Sequence, residues 1–153
     1  MSKQSVLFVC LGNICRSPMA EGVFREKLVR AGLEEFVDVD SCGTAGWHVG
    51  KLPHPESIST TASHGIDITM QRSRQLTVED TNRFDWVVVM DRSNERDVRA
   101  INPQASVHRM LSFSTGEVPV DVPDPYFEGG FPGVFALISD ACEGLLSKVQ
   151  EAL

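Results

Sequence analysis

Apolar residues follow two rhythms along this chain. Short continuous runs at Val6–Val9 and Trp86–Met90 read as strands buried on both faces. Between them lie stretches in which apolar positions recur every three or four residues, the mark of amphipathic helices. Met19–Ala31 does so at Ala20, Val23, Phe24, Leu28 and Ala31, and the C-terminal part at Val134, Leu137, Ile138, Ala141, Leu145 and Val149. Val37–Ser41 alternates as a short strand, and Val107–Leu111 offers a last one. A helix is expected from Pro55 to His64, stopped by Gly65, and another from Asp91 to Ile101, stopped by Asn102-Pro103. Thr77–Asp80 has the form of a capping box before a short helix. Strands and helices alternate, so the expected fold is α/β with a parallel sheet. Such sheets bind ligands beyond the carboxyl ends of their strands.

Composition narrows this further. With 153 residues, 42% of them hydrophobic, a single domain over residues 1–153 is expected. A net charge of −7 argues against a nucleic-acid partner or an anionic membrane surface. No apolar run reaches membrane-spanning length, and Met1–Ser5 is too short and polar for a leader, so a cytoplasmic location is expected. In that compartment Cys10, Cys15, Cys42 and Cys142 would remain thiols. Cys10 and Cys15 stand C-x4-C, which is not a zinc spacing, and His48, His54, His64 and His108 are scattered. Neither metal nor cofactor is expected.

The chemistry concentrates in Cys10-Leu-Gly-Asn-Ile-Cys-Arg16-Ser17, a C-x5-R-S segment between an apolar strand and a Ser17-Pro18 helix start. A helix N-terminus attracts anions and favours a thiolate, the reactive form of cysteine. Arg16 adds a permanent cation with a fork that grips two phosphoryl oxygens at once. Gly12 and Asn13 are residue types that adopt positive φ, so the loop can curl its N–H groups inward as an anion nest. Pro18 suits a first helical position, and the Ser17 hydroxyl is placed to cap the helix or to bond the thiolate. These features point to a phosphatase that uses Cys10 as nucleophile, with Leu11, Gly12, Asn13, Ile14, Cys15 and Ser17 completing the phosphate cradle. Ser41, at the end of the second strand, is expected to support Asn13.

A departing ester oxygen needs a proton. Asp124-Pro125-Tyr126 lies in the turn-rich segment Val118–Gly133, which should open at the same sheet edge as Cys10. Asp124 is preferred as general acid, with Asp121 its rival, and an optimum below neutrality is expected. Trp47, Tyr126 and Phe127 stand outside periodic runs and suit the walls of a slot for a phenyl ring. Arg72 and Arg74 read as a solvated face. Cys15 is a candidate resolving thiol for an oxidised Cys10.

These residues resemble a known family, the low molecular weight protein tyrosine phosphatases, bacterial type. The resemblance spans nearly the whole chain: VCLGNICRSP at Val9–Pro18, Asp40–Gly50, Ser73–Thr77, Met90–Asn94 and Asp124–Phe127. It implies a four-stranded parallel sheet flanked by helices, with the phosphate-binding loop after the first strand, and a metal-free, two-step reaction. Cys10 would form a phosphocysteine, Arg16 would bind the phosphate, and Asp124 would act as acid and then base. Asn13, Ser17 and Ser41 correspond to loop support, and Trp47 and Tyr126 to slot walls. A phosphotyrosyl protein would be the substrate, a tyrosine kinase a possible counterpart, and phosphate or similar oxyanions the product or inhibitor. Two departures stand out: Gln71 replaces a histidine that supports the loop asparagine in animal members, and Phe127 replaces a second tyrosine. Three alternatives use the same loop. Arsenate reductases need a downstream cysteine pair, whereas only Cys142 follows residue 75. Protein arginine phosphatases carry Thr where this chain has Ile14. A non-catalytic phosphotyrosine-binding module should lack Cys10 or Asp124, and both are present.

Overall fold

The computed structural model describes residues 2–153. Strand β1 (Gln4–Cys10) lies inside a parallel sheet ordered β2-β1-β3-β4, beside β2 (Val37–Gly43) and β3 (Trp86–Val89), with β4 (Val107–Arg109) at the edge. Register pairs Phe8 with Ser41 on one side and with Val88 on the other, and carries Cys10 opposite Gly43. The chain leaves β1 toward one neighbour and later enters the other, so the end of β1 is a point where connections diverge, the expected place for a ligand site.

Alternation along the strands divides the core into two faces. Val6, Phe8, Cys10, Val88 and Met90 pack with α1 (Arg16–Ala31) and α6 (Phe131–Ala152). Leu7, Val9, Val87 and Val89 face Phe84, Val98 and Ala105 on the opposite side. Val98 belongs to α4 (Arg92–Ile101), and Phe84 closes α3 (Val78–Arg83). Phe8, Phe24, Ile138 and Leu145 are fully buried; each contributes about 2 kcal/mol by leaving water. Phe8 meets Phe24 edge-on at 5.7 Å, fixing α1 over the strand that it follows.

Several boundaries differ from expectation. Helix α1 begins at Arg16, so Pro18 is its third residue rather than its first; N–H groups of the first turn have no helical acceptor, and the ring still costs little. β2 runs on through Ser41 and Cys42 to Gly43, because its polar end is buried against the loop after β1. The last strand stops at Arg109, and Met110–Phe113 forms a 3-10 turn whose Met110 and Leu111 are buried. α2 (Pro55–Ala62) ends just short of His64. Within the turn-rich segment Asp124 caps one unexpected helical turn, α5 (Pro125–Glu128). Thr77 and Asp80 form the expected reciprocal capping box.

α6 approaches the 3-10 turn closely at Gly144, where an added Cβ would lie 1.9 Å from the Phe113 carbonyl oxygen. A backbone contact cannot move aside as a flexible side chain can. Gly144→Ala should therefore lower unfolding free energy by about 2 kcal/mol or more, read as a lower urea midpoint at unchanged slope.

Candidate active site

The loop from Cys10 to Arg16 is locked by side chains rather than by glycine. Asn13, at φ 56°, is the one non-glycine residue with positive φ among the described residues, and Gly12 does not share that conformation. Gly12 is crowded in a different way: a Cβ there would stand 2.9 Å from the His48 ring, which would have to shift. The Asn13 side chain justifies its unusual backbone. Its Oδ1 accepts from the Arg74 N–H at 3.0 Å, while Nδ2 donates to Ser17 Oγ at 2.8 Å and to Ser41 Oγ at 3.0 Å. Strain of this kind persists only where neighbours over-determine it.

Cys10 Sγ sits 3.0 Å from Ser17 Oγ and accepts from the Asn13 N–H at 3.3 Å. Ser17 thus faces the sulfur and does not cap the helix. Arg16 is only 2% exposed. Its Nη1 donates to Asp91 Oδ2 at 2.7 Å and to the Val122 carbonyl at 2.9 Å, and its Nη2 meets Asp124 Oδ2 at 3.4 Å. Burial opposes the guanidinium charge, but Cys10, Asp124 and Asp91 outweigh it and hold the group more firmly protonated than usual. Asp91 was visible in sequence only as a helix start. It caps α4 through the Asn94 N–H at 2.7 Å and fixes the arginine with its other oxygen.

Asp124 and Asp121 separate cleanly. Asp124 lines a cleft of about 280 Å³ with Leu11, Gly12, Ile14, Cys15, Trp47, His48, Tyr126 and Phe127. Asp121 instead bonds Arg92 through its backbone N–H at 3.0 Å and through its guanidinium. Burial tends to raise the Asp121 carboxyl, but Arg92 outweighs it and leaves the group below the usual range. The cleft walls are mainly apolar. Trp47, Tyr126 and Phe127 are 68%, 51% and 70% exposed, so three aromatic surfaces stand open beside the loop that follows Cys10. His48 was not singled out in sequence; its ring lies 6.2 Å from that of Tyr126.

Other expectations need correction. Arg74 is not a solvated surface charge. It donates bidentately to Asp80 at 2.9 and 3.0 Å, pairs with Asp40, and presents its backbone N–H to Asn13, whereas Arg72 is exposed. Gln71 bonds the Pro18 carbonyl at 3.0 Å, and Arg74 takes the Asn13 oxygen. Ser73 Oγ adds a bond to the Gly12 carbonyl at 3.0 Å. Cys15 is buried at the start of α1, and burial together with the Cys10 and Asp124 charges pushes its thiol up to about 12. It is therefore held protonated. Glu21 is buried, which raises its carboxyl, although Ser41 and Arg25 pull it back. Among the described residues, no group of three His, Cys, Asp or Glu side chains is placed to hold a metal ion.

Residues 5–153 match the family model of the low molecular weight phosphotyrosine protein phosphatases. The chain belongs to this family. It is 40% identical over 150 residues to the low molecular weight protein-tyrosine-phosphatase YfkJ of Bacillus subtilis, covering 96% of each chain. The crystal structure of YfkJ superposes with a TM-score of 0.95, covering 99% of this chain and 98% of that one. A protein tyrosine phosphatase from Entamoeba histolytica, solved with Hepes in its active site, gives 0.92 at 34% identity, over 98% and 99%. The Drosophila arginine phosphatase gives 0.83 at 31% identity, over 94% and 96%. The four-stranded parallel sheet with flanking helices is thus the family fold.

The Arg74–Asp80 pair ties α3 to the loop and should be visible in stability. Burial raises the Asp80 carboxyl, but Arg74 and the Thr77 cap outweigh it, leaving the group below its usual value. A depressed carboxylate stabilises the fold above its unfolded value near 4 and loses that contribution as pH falls through the folded value. Asp80→Asn should therefore lower the melting temperature at pH 7, and the gap to wild type should close below about pH 4.

Proposed function

We propose that residues 1–153 form one catalytic domain that hydrolyses phosphotyrosine in proteins, and small aryl phosphates, through a phosphocysteine on Cys10. The observation that carries this reading is the cleft itself. Its floor is the Cys10 loop, its walls are Trp47, Tyr126 and Phe127, and Asp124 stands at the rim. A flat ring fits between such walls while its phosphate reaches the loop.

The steps follow from the groups present. Arg16 and the loop N–H groups bind the phosphate of the ester, and Arg16 shifts from Asp124 toward the phosphoryl oxygens. The Cys10 thiolate attacks phosphorus as the P–O bond to the phenol breaks. Asp124 donates a proton to the leaving oxygen. A water then attacks the phosphocysteine, Asp124 takes its proton, and inorganic phosphate leaves with Cys10 again a thiolate. Ser17 and Asn13, which face the sulfur, stabilise the thiolate both as nucleophile and as leaving group. Phosphate and related oxyanions should accordingly inhibit as product mimics.

Two observations favour phosphotyrosine over the alternatives. Ile14 and Leu11 give the cleft an apolar lining, which suits a phenyl ring better than a guanidinium. The single downstream cysteine, Cys142, is wholly buried in α6, and burial pushes its thiol up to about 12, so it cannot serve an arsenate-reducing relay. The four free thiols suit a reducing cytoplasm, where a tyrosine kinase would supply the phosphoprotein substrate.

Cys10→Ser should reduce turnover of an aryl phosphate by at least about 10³-fold in the presence of chelator, with phosphate still bound by calorimetry. Substantial residual turnover would place the nucleophile elsewhere. Asp124→Asn should slow phenolate leaving groups of high pKa by about 10²-fold or more and activated ones far less. Equal losses along the leaving-group series would remove Asp124 from the acid role.

A further inference from the structure

Glu21 has no part in the steps above, yet it is buried and charged behind the nucleophile loop. Its Oε1 accepts from the Ser41 hydroxyl at 2.7 Å, and its Oε2 accepts from Arg25 Nε at 3.0 Å. Both oxygens are therefore acceptors. That fact sets the Ser41 proton, and the Arg74 N–H at the other end sets the Asn13 amide, so the direction of each hydrogen bond up to the sulfur can be assigned.

A serine hydroxyl has one proton. Because Ser41 gives its proton to Glu21, its oxygen is an acceptor for Asn13 Nδ2. The Asn13 amide cannot flip, because its Oδ1 takes the Arg74 N–H. Its second Nδ2 proton goes to Ser17 Oγ. Ser17, now an acceptor on that side, has its own proton to give. Cys10 Sγ lies at 3.0 Å, and the competing Cys42 carbonyl lies farther away, at 3.4 Å. We infer that Glu21 is a positioning residue, which acts through Ser41, Asn13 and Ser17 to keep the Ser17 hydroxyl proton aimed at the Cys10 sulfur. The assignment extends the proposed phosphatase reading and rests on Cys10 being its nucleophile.

Glu21→Gln tests it with little change in volume. Arg25 requires an acceptor, so the new NH2 turns toward Ser41 and opposes its proton. Ser41 Oγ then accepts from the new amide and loosens its hold on Asn13 Nδ2, which keeps its sense through Arg74 but shifts off Ser17, and the Ser17 hydroxyl is released toward the Cys42 carbonyl. The readout is the pH dependence of iodoacetamide alkylation, mapped to Cys10 by mass spectrometry, which reports the thiolate without turnover. Its midpoint should rise by about half a pH unit or more, and kcat should fall about fivefold or more with KM little changed.

Plain electrostatics predicts the opposite sign. Removing a negative charge near a thiolate favours the thiolate and lowers the midpoint. Arg16 acts on Cys10 by charge, as Arg25 and Asp40 do on Glu21, while Cys15 and Cys42 face it as protonated thiols, and all stay in place. A lowered or unmoved midpoint overturns the relay. Ser41→Ala cuts the same chain with Glu21 present and should raise the midpoint equally. It decides the matter alone if Glu21→Gln fails to fold. The double variant should match Ser41→Ala; additive effects would show that Glu21 does not act through Ser41. Failure of the phosphatase reading looks different: turnover would then survive Cys10→Ser, whatever the alkylation profile.

Discussion

A guanidinium almost without solvent contact organises this molecule. Arg16 is the largest of the fully buried side chains, and an unpaired cation there would be untenable. Its three partners come from two distant places: Asp91 after β3, and Val122 and Asp124 in the segment before α5. Satisfying one charge therefore draws the phosphate loop, the head of α4 and the acid-bearing turn to one point. Replacing Arg16 by lysine would keep the charge but lose the planar fork, since one ammonium cannot occupy the separate Nη1 and Nη2 positions.

The same economy governs the opposite side of the loop. Asn13 holds a backbone conformation that most residues avoid, and two later stretches of the chain supply what it needs. Ser41 comes from the end of β2, and the Arg74 N–H from the stretch before α3. Arg74 is itself anchored by Asp80, which also closes the capping box of α3. A helix cap, a salt bridge and a strained loop are thus linked in one short path.

Sequence carried much of this, unevenly. Alternating apolar runs and helical spacing located the four strands and the long helices, because burial imposes those periods directly. Cys10, Arg16, Asn13, Ser41 and Asp124 were legible from residue type and placement, and the structure gathers them at one sheet edge. Asp91, Glu21 and Arg74 were not. Each lies in a position whose local signal has an ordinary explanation: a helix cap, an i,i+4 ion pair with Arg25, a surface cation. Their second partners are far away in sequence, and no local pattern encodes that. Gly12 shows the reverse error. Its residue type suggested a left-handed turn, but its backbone does not adopt one, and what a side chain there would meet is the ring of His48.

The strand order separates two tasks. The reactive loop follows β1, whereas the walls of the cleft follow β2, through Trp47 and His48, and β4, through Tyr126 and Phe127. The wall side chains Trp47, Tyr126 and Phe127 are exposed, although their segments are tied to the loop through the Thr44 and Ala45 N–H groups and through Asp124. Substitutions at the exposed Trp47 can alter which phosphorylated side chain or flanking sequence is admitted and leave Cys10, Arg16 and Asp124 in place. In the proposed reading the nucleophile and the Trp47 wall are inherited on different strands, so drift after β2 can change targets while the Cys10 loop stays as it is, whereas drift beside Tyr126 also touches the acid, Asp124, that caps its helical turn.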